Sequence, residues 1–299
     1  MIYLSSFHLP SRDEDEDFFN VQSASFKTKN FRTCYTTKYP FGMFRDRGLP
    51  DWLEFRDITI ICGNNGSGKS TILNVIAEKL DLKRNSPFNR SDFFDDYVEL
   101  CDYELEKSLS LNSSVITSDD VFERVLDIRR INDGINDKRE DLLREWLDNN
   151  SDSADTTLHG LDDYDRWKKV VDSRNRKVSQ SQFLRSRLRR NVEERSNGES
   201  SLSLFVDAIA DDALYLLDEP ENSLSPANQL ELKYFIEDCV RNHGCQFIIS
   251  THSPFLLSLK GARIYDIDSN PVSISKWTDL ECVKVYQEFF KENEDKFNF

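Results

Sequence analysis

No stretch of this sequence approaches the roughly 18 consecutive apolar residues that a membrane-crossing helix needs, so the chain is not expected to enter a bilayer. Its start, Met1-Ile2-Tyr3-Leu4-Ser5-Ser6-Phe7, lacks the basic region and the long apolar core of a secretory leader. A cytoplasmic location is therefore expected. The cysteines Cys34, Cys62, Cys101, Cys239, Cys245 and Cys282 form no C-x-x-C pair, and the histidines do not cluster. That spacing argues against a zinc module and a disulfide framework, and leaves reduced, buried thiols. A net charge of −15 argues against a surface uniformly suited to DNA. Nor is there any glutamine between Gln22 and Gln180, an absence that matters below.

What is present begins with length: 299 residues can hold two average domains or one large α/β domain carrying an insertion. Residues 1–62 read as a β-rich lobe with strands over Met1–Leu9, Phe31–Tyr39 and Trp52–Phe55, and with the acidic run Asp13–Asp17 as a solvated loop. An apolar run, Ile58–Cys62, then leads into Gly63-Asn64-Asn65-Gly66-Ser67-Gly68-Lys69-Ser70-Thr71 and a helical segment, Ile72–Ala77. This is G-x-x-x-x-G-K-[ST] between a strand and a helix. The glycines let backbone N–H groups turn around a phosphate, Lys69 reaches the terminal phosphates, and the Ser70 hydroxyl can ligate Mg²⁺. Nucleoside triphosphate binding follows.

Val115–Thr117 reads as a short strand, with Ser118-Asp119-Asp120 capping a helical arm over Val121–Leu147 that Gly134 is expected to break. Residues 148–163 have the polar, acidic composition of a linker. From Leu202 to Ile209 the spacing predicts an amphipathic helix, from Pro226 to Val240 another, and from Leu280 to Phe290 a last one. Ala213–Leu217 and Gln246–Ser250 are apolar runs of buried-strand length, with later strands over Arg263–Ile267 and Val272–Ser275. Strands alternating with helices predict a mostly parallel sheet. Asp218 and Glu219 directly follow a buried strand, where carboxylates need a cation partner and where α/β sheets gather ligands. Asp218 fits a Mg²⁺ ligand, directly or through a water. Glu219 fits the base that polarises the attacking water.

In order along the chain, Gly63–Thr71, Ser196-Asn197-Gly198-Glu199-Ser200, Leu216-Leu217-Asp218-Glu219-Pro220-Glu221 and Ile249-Ser250-Thr251-His252-Ser253-Pro254 resemble four motifs of ABC-type ATPases: Walker A, signature, Walker B and switch histidine. The set is most similar to small stand-alone AAA-family ATPases related to SMC and RecF heads, as are Tyr39-Pro40-Phe41 and the Ser-x-Gly-Glu-Ser signature. The resemblance does not cover roughly 123–190. It implies an α/β P-loop NTPase head, with a mostly parallel sheet, flanking helices, an N-terminal antiparallel β-lobe and a helical insertion. The divisions expected are 1–122, 123–195 and 196–299. It further implies ATP and Mg²⁺ as cofactors, and a head-to-tail homodimer that sandwiches ATP between one phosphate loop and the partner's Ser196, Gly198 and Glu199. His252 is implied to contact the γ-phosphate and the attacking water. Two positions depart from the pattern. The usual Q-loop glutamine is missing, with Asp119 in its place by position, and the D-loop aspartate is replaced, leaving Ser225. Slow turnover is expected.

Between Tyr164 and Arg195 the charge reverses to a local net of +7: Arg166, Lys168, Lys169, Arg174, Arg176, Lys177, Arg185, Arg187, Arg189, Arg190 and Arg195 outweigh Asp165, Asp172, Glu193 and Glu194. That arm reads first as a DNA or RNA contact, next as a dock for an acidic protein, and last as a solvated hairpin. Two roles stay open accordingly. One is an ATPase in DNA repair or defence against foreign nucleic acid, controlling a nuclease effector on a separate chain. The other is a nucleotide-gated assembly scaffold with no nucleic-acid contact; a subunit serving a separate membrane transporter is third.

Overall fold

The computed structural model describes residues 1–20, 38–44, 46–150, 168, 184, 187–188 and 197–297. The chain starts with β1, Leu4–His8, and α1, Arg12–Asn20. The acidic run expected as a solvated loop is the body of α1. Ser11 and Glu14 cap it reciprocally: Glu14 N–H donates to Ser11 Oγ at 3.4 Å, and Ser11 N–H donates to Glu14 Oε2 at 2.8 Å. Acids in the first turn then face the positive end of the helix dipole, which turns an apparent liability into a start signal. Asp15 is buried, and its Oδ2 accepts a 2.8 Å bond from Gly42 N–H.

Next come β2, Trp52–Glu54, β3, Ile58–Cys62, α2, Lys69–Lys79, α3, Phe94–Leu100, and β4, Asp102–Leu105. β1 pairs antiparallel with both β2 and β4, giving a sheet in the order β2-β1-β4. The β-lobe was expected within residues 1–62, but its third strand arrives from beyond the phosphate loop. All four residues of β4 are exposed, so no buried-face alternation marks them in the sequence. Of the strand expected over Phe31–Tyr39, residues 31–37 lie outside the described residues, and Tyr39 sits in a turn.

The second half of the fold runs β5, Ser114–Thr117, α4, Ser118–Asn150, α5, Asn197–Ala208, β6, Leu214–Asp218, α6, Pro226–Asn242, β7, Gln246–Ser250, β8, Arg263–Asp266, β9, Ser273–Ile274, and α7, Glu281–Glu292. The main sheet has the order β5-β6-β7-β3-β8-β9. Its first five strands are parallel and β9 is antiparallel. β3 and β7 are buried at every residue, which explains their mostly apolar sequences. Alternation sends Ile61, Leu216, Ile248 and Tyr265 to one face, against Ile72, Leu73, Val75 and Ile76 of α2. Ile60, Tyr215, Leu217 and Phe247 face the other way, toward Phe205 of α5 and Leu232 and Ile236 of α6. Gln246, fully buried, joins the two sheets. Its Oε1 accepts from Tyr3 N–H at 2.8 Å and Leu4 N–H at 2.9 Å, and its Nε2 donates to Leu4 O at 2.8 Å and Arg56 O at 3.0 Å.

The chain divides into two compact units: Met1–Phe122 with Ser196–Phe299, and Glu123–Arg195. α4 begins in the first and supplies most of what is described of the second. Its cap lies one residue earlier than expected, at Thr117, whose Oγ1 accepts from Asp120 N–H at 3.2 Å while Asp120 Oδ2 accepts from Thr117 N–H at 2.8 Å. Gly134 does not break the helix. A helical glycine costs about 1 kcal/mol relative to alanine, which 33 cooperative residues absorb. Of the expected linker, Asp148–Asn150 belong to α4, and 151–163 lie outside the described residues.

Candidate nucleotide site

Strand register sets the site. Asp218 at the end of β6 lies opposite Ser250 at the end of β7, Ser250 opposite Ile61, and Cys62 opposite Asp266. Four parallel strands therefore deliver their carboxyl ends to one edge, where α/β sheets bind ligands.

From β3 the chain enters the phosphate loop. A Cβ at Gly63 would sit 2.7 Å from both Ile267 Cγ1 and Ser67 Oγ, and one at Gly68, where φ is +102°, would sit 2.7 Å from Phe44 Cε1. Glycine is required at both by close approach, and at Gly68 by the left-handed backbone as well. Gly68 is the N-cap of α2 and has no side chain to offer, so α2 starts without a side-chain cap from its N-cap residue. That open helix start suits an anion. Lys69 is 3% exposed, and its Nζ donates to Gly63 O at 2.9 Å and Asn64 O at 3.2 Å. It also pairs with Glu219 Oε1 at 3.1 Å.

Three residues outside the four ABC motifs brace the loop. Arg47 Nη1 donates to Ser67 O at 2.6 Å, Asp268 Oδ2 accepts from Asn64 N–H at 2.6 Å, and Tyr39 OH lies 3.0 Å from Thr71 Oγ1. Tyr39 stood within the quoted Tyr39-Pro40-Phe41. Arg47 and Asp268 had no sequence signal, since only the folded chain brings them to the loop.

Asp218 gathers hydroxyls. Ser70 Oγ donates to its Oδ1 at 3.0 Å, and Ser250 Oγ donates to the same oxygen. Burial pushes the Asp218 carboxyl up despite those two bonds. At Glu219, with φ +46°, burial pushes in the same direction, but the hydrogen bond from Asn222 Nδ2 at 2.9 Å and the Lys69 ion pair outweigh it and hold the carboxyl below its ordinary range. Adjacent carboxylates are thus driven apart, the pattern by which one site separates two acid roles.

His252 follows β7, with its Nδ1 buried and 3.6 Å from Oε1 of the buried Glu221. Ser225 caps α6 through a 3.3 Å bond from Asn228 N–H, and Asp119 is exposed at the start of α4. Of the signature residues, Ser196 lies outside the described residues, while Gly198 and Glu199 fall in the first turn of α5. Most of the basic arm also lies outside them, Arg166, Lys169, Arg174, Arg176, Lys177, Arg185, Arg189, Arg190 and Arg195 included. Lys168 and Arg187 are described, and Arg187 pairs with Glu145 at 3.5 Å. Among the described residues no helix is long and apolar enough to cross a membrane.

Residues 53–222 match the family model described as "ABC transporter", and residues 187–258 match one described as "AAA domain, putative AbiEii toxin, Type IV TA system". No curated protein matches the chain. Among solved structures, the chain is similar to the SMC head domain from Thermotoga maritima, at 15% identity and a TM-score of 0.40, covering 92% of this chain and 98% of that one. It is also similar to an Smc head domain with an extended coiled coil, bound to the C-terminal domain of ScpA and derived from Pyrococcus furiosus. That match has 15% identity and a TM-score of 0.38, covering 81% and 95%. A third is a dimeric ATP-binding cassette in a post-hydrolysis state bound to ADP and phosphate, at 13% identity and a TM-score of 0.35, covering 76% and 89%.

Proposed function

The chain belongs to the ABC transporter family, in its ATP-binding domain, and from that premise we propose that it binds ATP with Mg²⁺ and hydrolyses it as a nucleotide-gated dimer. The observation that carries this reading is the Lys69–Glu219 pair at 3.1 Å, because it puts the phosphate-binding cation and the base on one another at the shared edge of β3 and β6. Each keeps the other's charge satisfied. When phosphates take Lys69, with the loop amides of Gly63–Thr71 turned to the same anion, Glu219 is released to accept a proton from water. Asn222 keeps the freed carboxylate aimed.

Ser70 Oγ and Asp218 Oδ1, 3.0 Å apart, are hard oxygen donors of the kind that would hold Mg²⁺ beside bound phosphates. When bound, that ion neutralises charge on the transferring phosphoryl group. Across the dimer, the first turn of α5 would meet the γ-phosphate through its N–H groups, with Ser196, Gly198 and Glu199 in the signature position.

The wider role in this reading is management of foreign or damaged nucleic acid, with a separately encoded nuclease as effector. It is supported by the +7 arm at 164–195 and by the similarity of residues 187–258 to a family described from a toxin–antitoxin system. The alternative is an assembly scaffold without nucleic acid, favoured by the pairing of Arg187 with Glu145, which spends arm charge inside its own unit.

Two measurements test these readings. Glu219→Gln should keep ATP binding, trap the dimer and lower kcat by roughly 10²–10⁴-fold; equal turnover in the two proteins would remove Glu219 from the reaction. DNA or RNA should stimulate wild-type turnover at low salt, and reversing Arg185, Arg187, Arg189 and Arg190 should abolish the effect. A rate indifferent to nucleic acid, with ATP-dependent dimerisation intact, selects the scaffold.

A further inference from the structure

Among the described residues, the buried side-chain atoms without a hydrogen-bond partner include Glu221 Oε2 and His252 Nδ1, and the nitrogen lies 3.6 Å from the other oxygen of the same carboxylate. Neither is there by looseness of the chain. Glu221 Oε1 accepts from Thr251 Oγ1 at 2.7 Å and from His252 N–H at 2.9 Å, so the carboxylate is fixed against the turn that carries the histidine. That turn is stitched in place by Ser253, whose N–H donates to Thr251 Oγ1 at 3.0 Å and whose Oγ donates to Gln229 Oε1 at 2.7 Å. Gln229 Nε2 reaches back to Leu224 O at 3.0 Å and Glu221 O at 3.4 Å, closing the frame.

An ionised carboxylate only accepts hydrogen bonds. An Nδ1 lone pair turned toward it, 3.6 Å from Oε1, would be repelled, and both groups would stay unsatisfied in a buried place. With a proton on Nδ1 the nitrogen becomes a donor beside an acceptor, and the same contact turns from repulsive to attractive. We propose that Glu221 is a positioning residue for His252: it holds the imidazole as the Nδ1–H tautomer and leaves Nε2 as the atom presented to the nucleotide. Glu221 sets which nitrogen carries the proton, and Glu219 meets the reacting water. The assignment deepens the ATPase reading, but the tautomer itself does not depend on it.

The test is nitrogen NMR on protein labelled in its histidines, His8, His159, His243 and His252, above the ordinary histidine titration range, with His252→Gln to assign the signal. The expected result is protonation at Nδ1 in the wild-type protein and a mixture of tautomers in Glu221→Gln, whose amide can either donate or accept. Protonation at Nε2 in the wild type, or an unchanged tautomer in Glu221→Gln, overturns the proposal. In the same variant kcat should fall roughly 10- to 100-fold, the range for groups that orient a functional histidine, while ATP affinity stays within about twofold. A loss of affinity with kcat preserved would assign Glu221 to binding and overturn its positioning role. If the protein proves to have no ATPase activity, the tautomer measurement still decides the matter, because the family reading and the Glu221–His252 contact then fail or stand separately.

Discussion

α2 and α4 each begin where a parallel strand ends, yet different physics holds them. α2 is 11 residues long and buries Lys69, Thr71, Ile72, Leu73, Asn74, Val75, Ile76 and Ala77. α4 is three times as long and exposes Phe122, Ile131 and Leu147, with local pairs such as Arg130–Asp127 at 3.3 Å and Arg144–Glu140 at 3.7 Å along its surface. The sharper contrast is at their starts. Thr117 and Asp120 close the N-terminus of α4 from within the chain, whereas Gly68 leaves that of α2 open. Helix N–H groups without an internal partner suit an anion, so the open start of α2 differs in kind from the closed start of α4.

The comparison breaks first at Lys69. Lys69→Ala removes the buried cation from the open end of α2 and should cost about 3–4 kcal/mol of ATP binding, roughly 100- to 1,000-fold in affinity, given charge-assisted bonds of about 1.5–3 kcal/mol each. Titration of a fluorescent ATP analogue measures it. An affinity within about threefold of wild type would mean that the helix start and loop amides suffice alone, and that the lysine serves Glu219 rather than phosphate.

Gln246→Ala probes the frame that delivers β3 and β7 to that edge. The substitution leaves the N–H groups of Tyr3 and Leu4 and the carbonyls of Leu4 and Arg56 without their buried partner. About 3 kcal/mol of stability should be lost, at about 1–3 kcal/mol for a stranded polar group with partial relaxation. Urea unfolding followed by far-ultraviolet circular dichroism reads the shift. A loss under about 1 kcal/mol would show that the β-lobe is held by its apolar packing on the sheet, and that the glutamine bonds are dispensable.

How much was legible in the sequence follows the same division. β3, β6 and β7 carried mostly apolar runs and were placed to within a residue, because a strand buried on both faces is dominated by apolar residues. The phosphate loop, Asp218 and Glu219 were legible because each sits at a fixed offset from such a strand. α1 was hidden by its acids: its start signal is the Ser11–Glu14 box, which a count of negative charges obscures. β4 was hidden because it is exposed along its length, so no alternation exists to find. Glu221 was in plain view inside Walker B, but its contact with the turn after β7 arises only once β6 and β7 are in register. Arg47 and Asp268 belong to the same class, since their contacts span 20 and 204 residues of chain.

The smallest effect is expected from one chemical change that can be made in both helices. A Cβ at Gly134 of α4 meets no atom within 4 Å, so Gly134→Ala should stabilise that helix by about 0.5–1 kcal/mol through backbone entropy alone, with ATP turnover unchanged. The reverse exchange in α2, Ala77→Gly, adds to that propensity cost the loss of a buried methyl against the sheet, about 0.8 kcal/mol more. Helicity and the midpoint of thermal unfolding measure the first; denaturant unfolding measures the second. If α4 is held by its own sequence, the alanine raises its helical signal without moving the unfolding of the strand core. If instead the two exchanges come out equal and opposite, burial adds nothing to α2, and the distinction between a helix fixed by its neighbours and one fixed by itself fails. A rise in turnover with Gly134→Ala would carry the argument elsewhere, because it would tie the stiffness of α4 to the chemistry at Glu219.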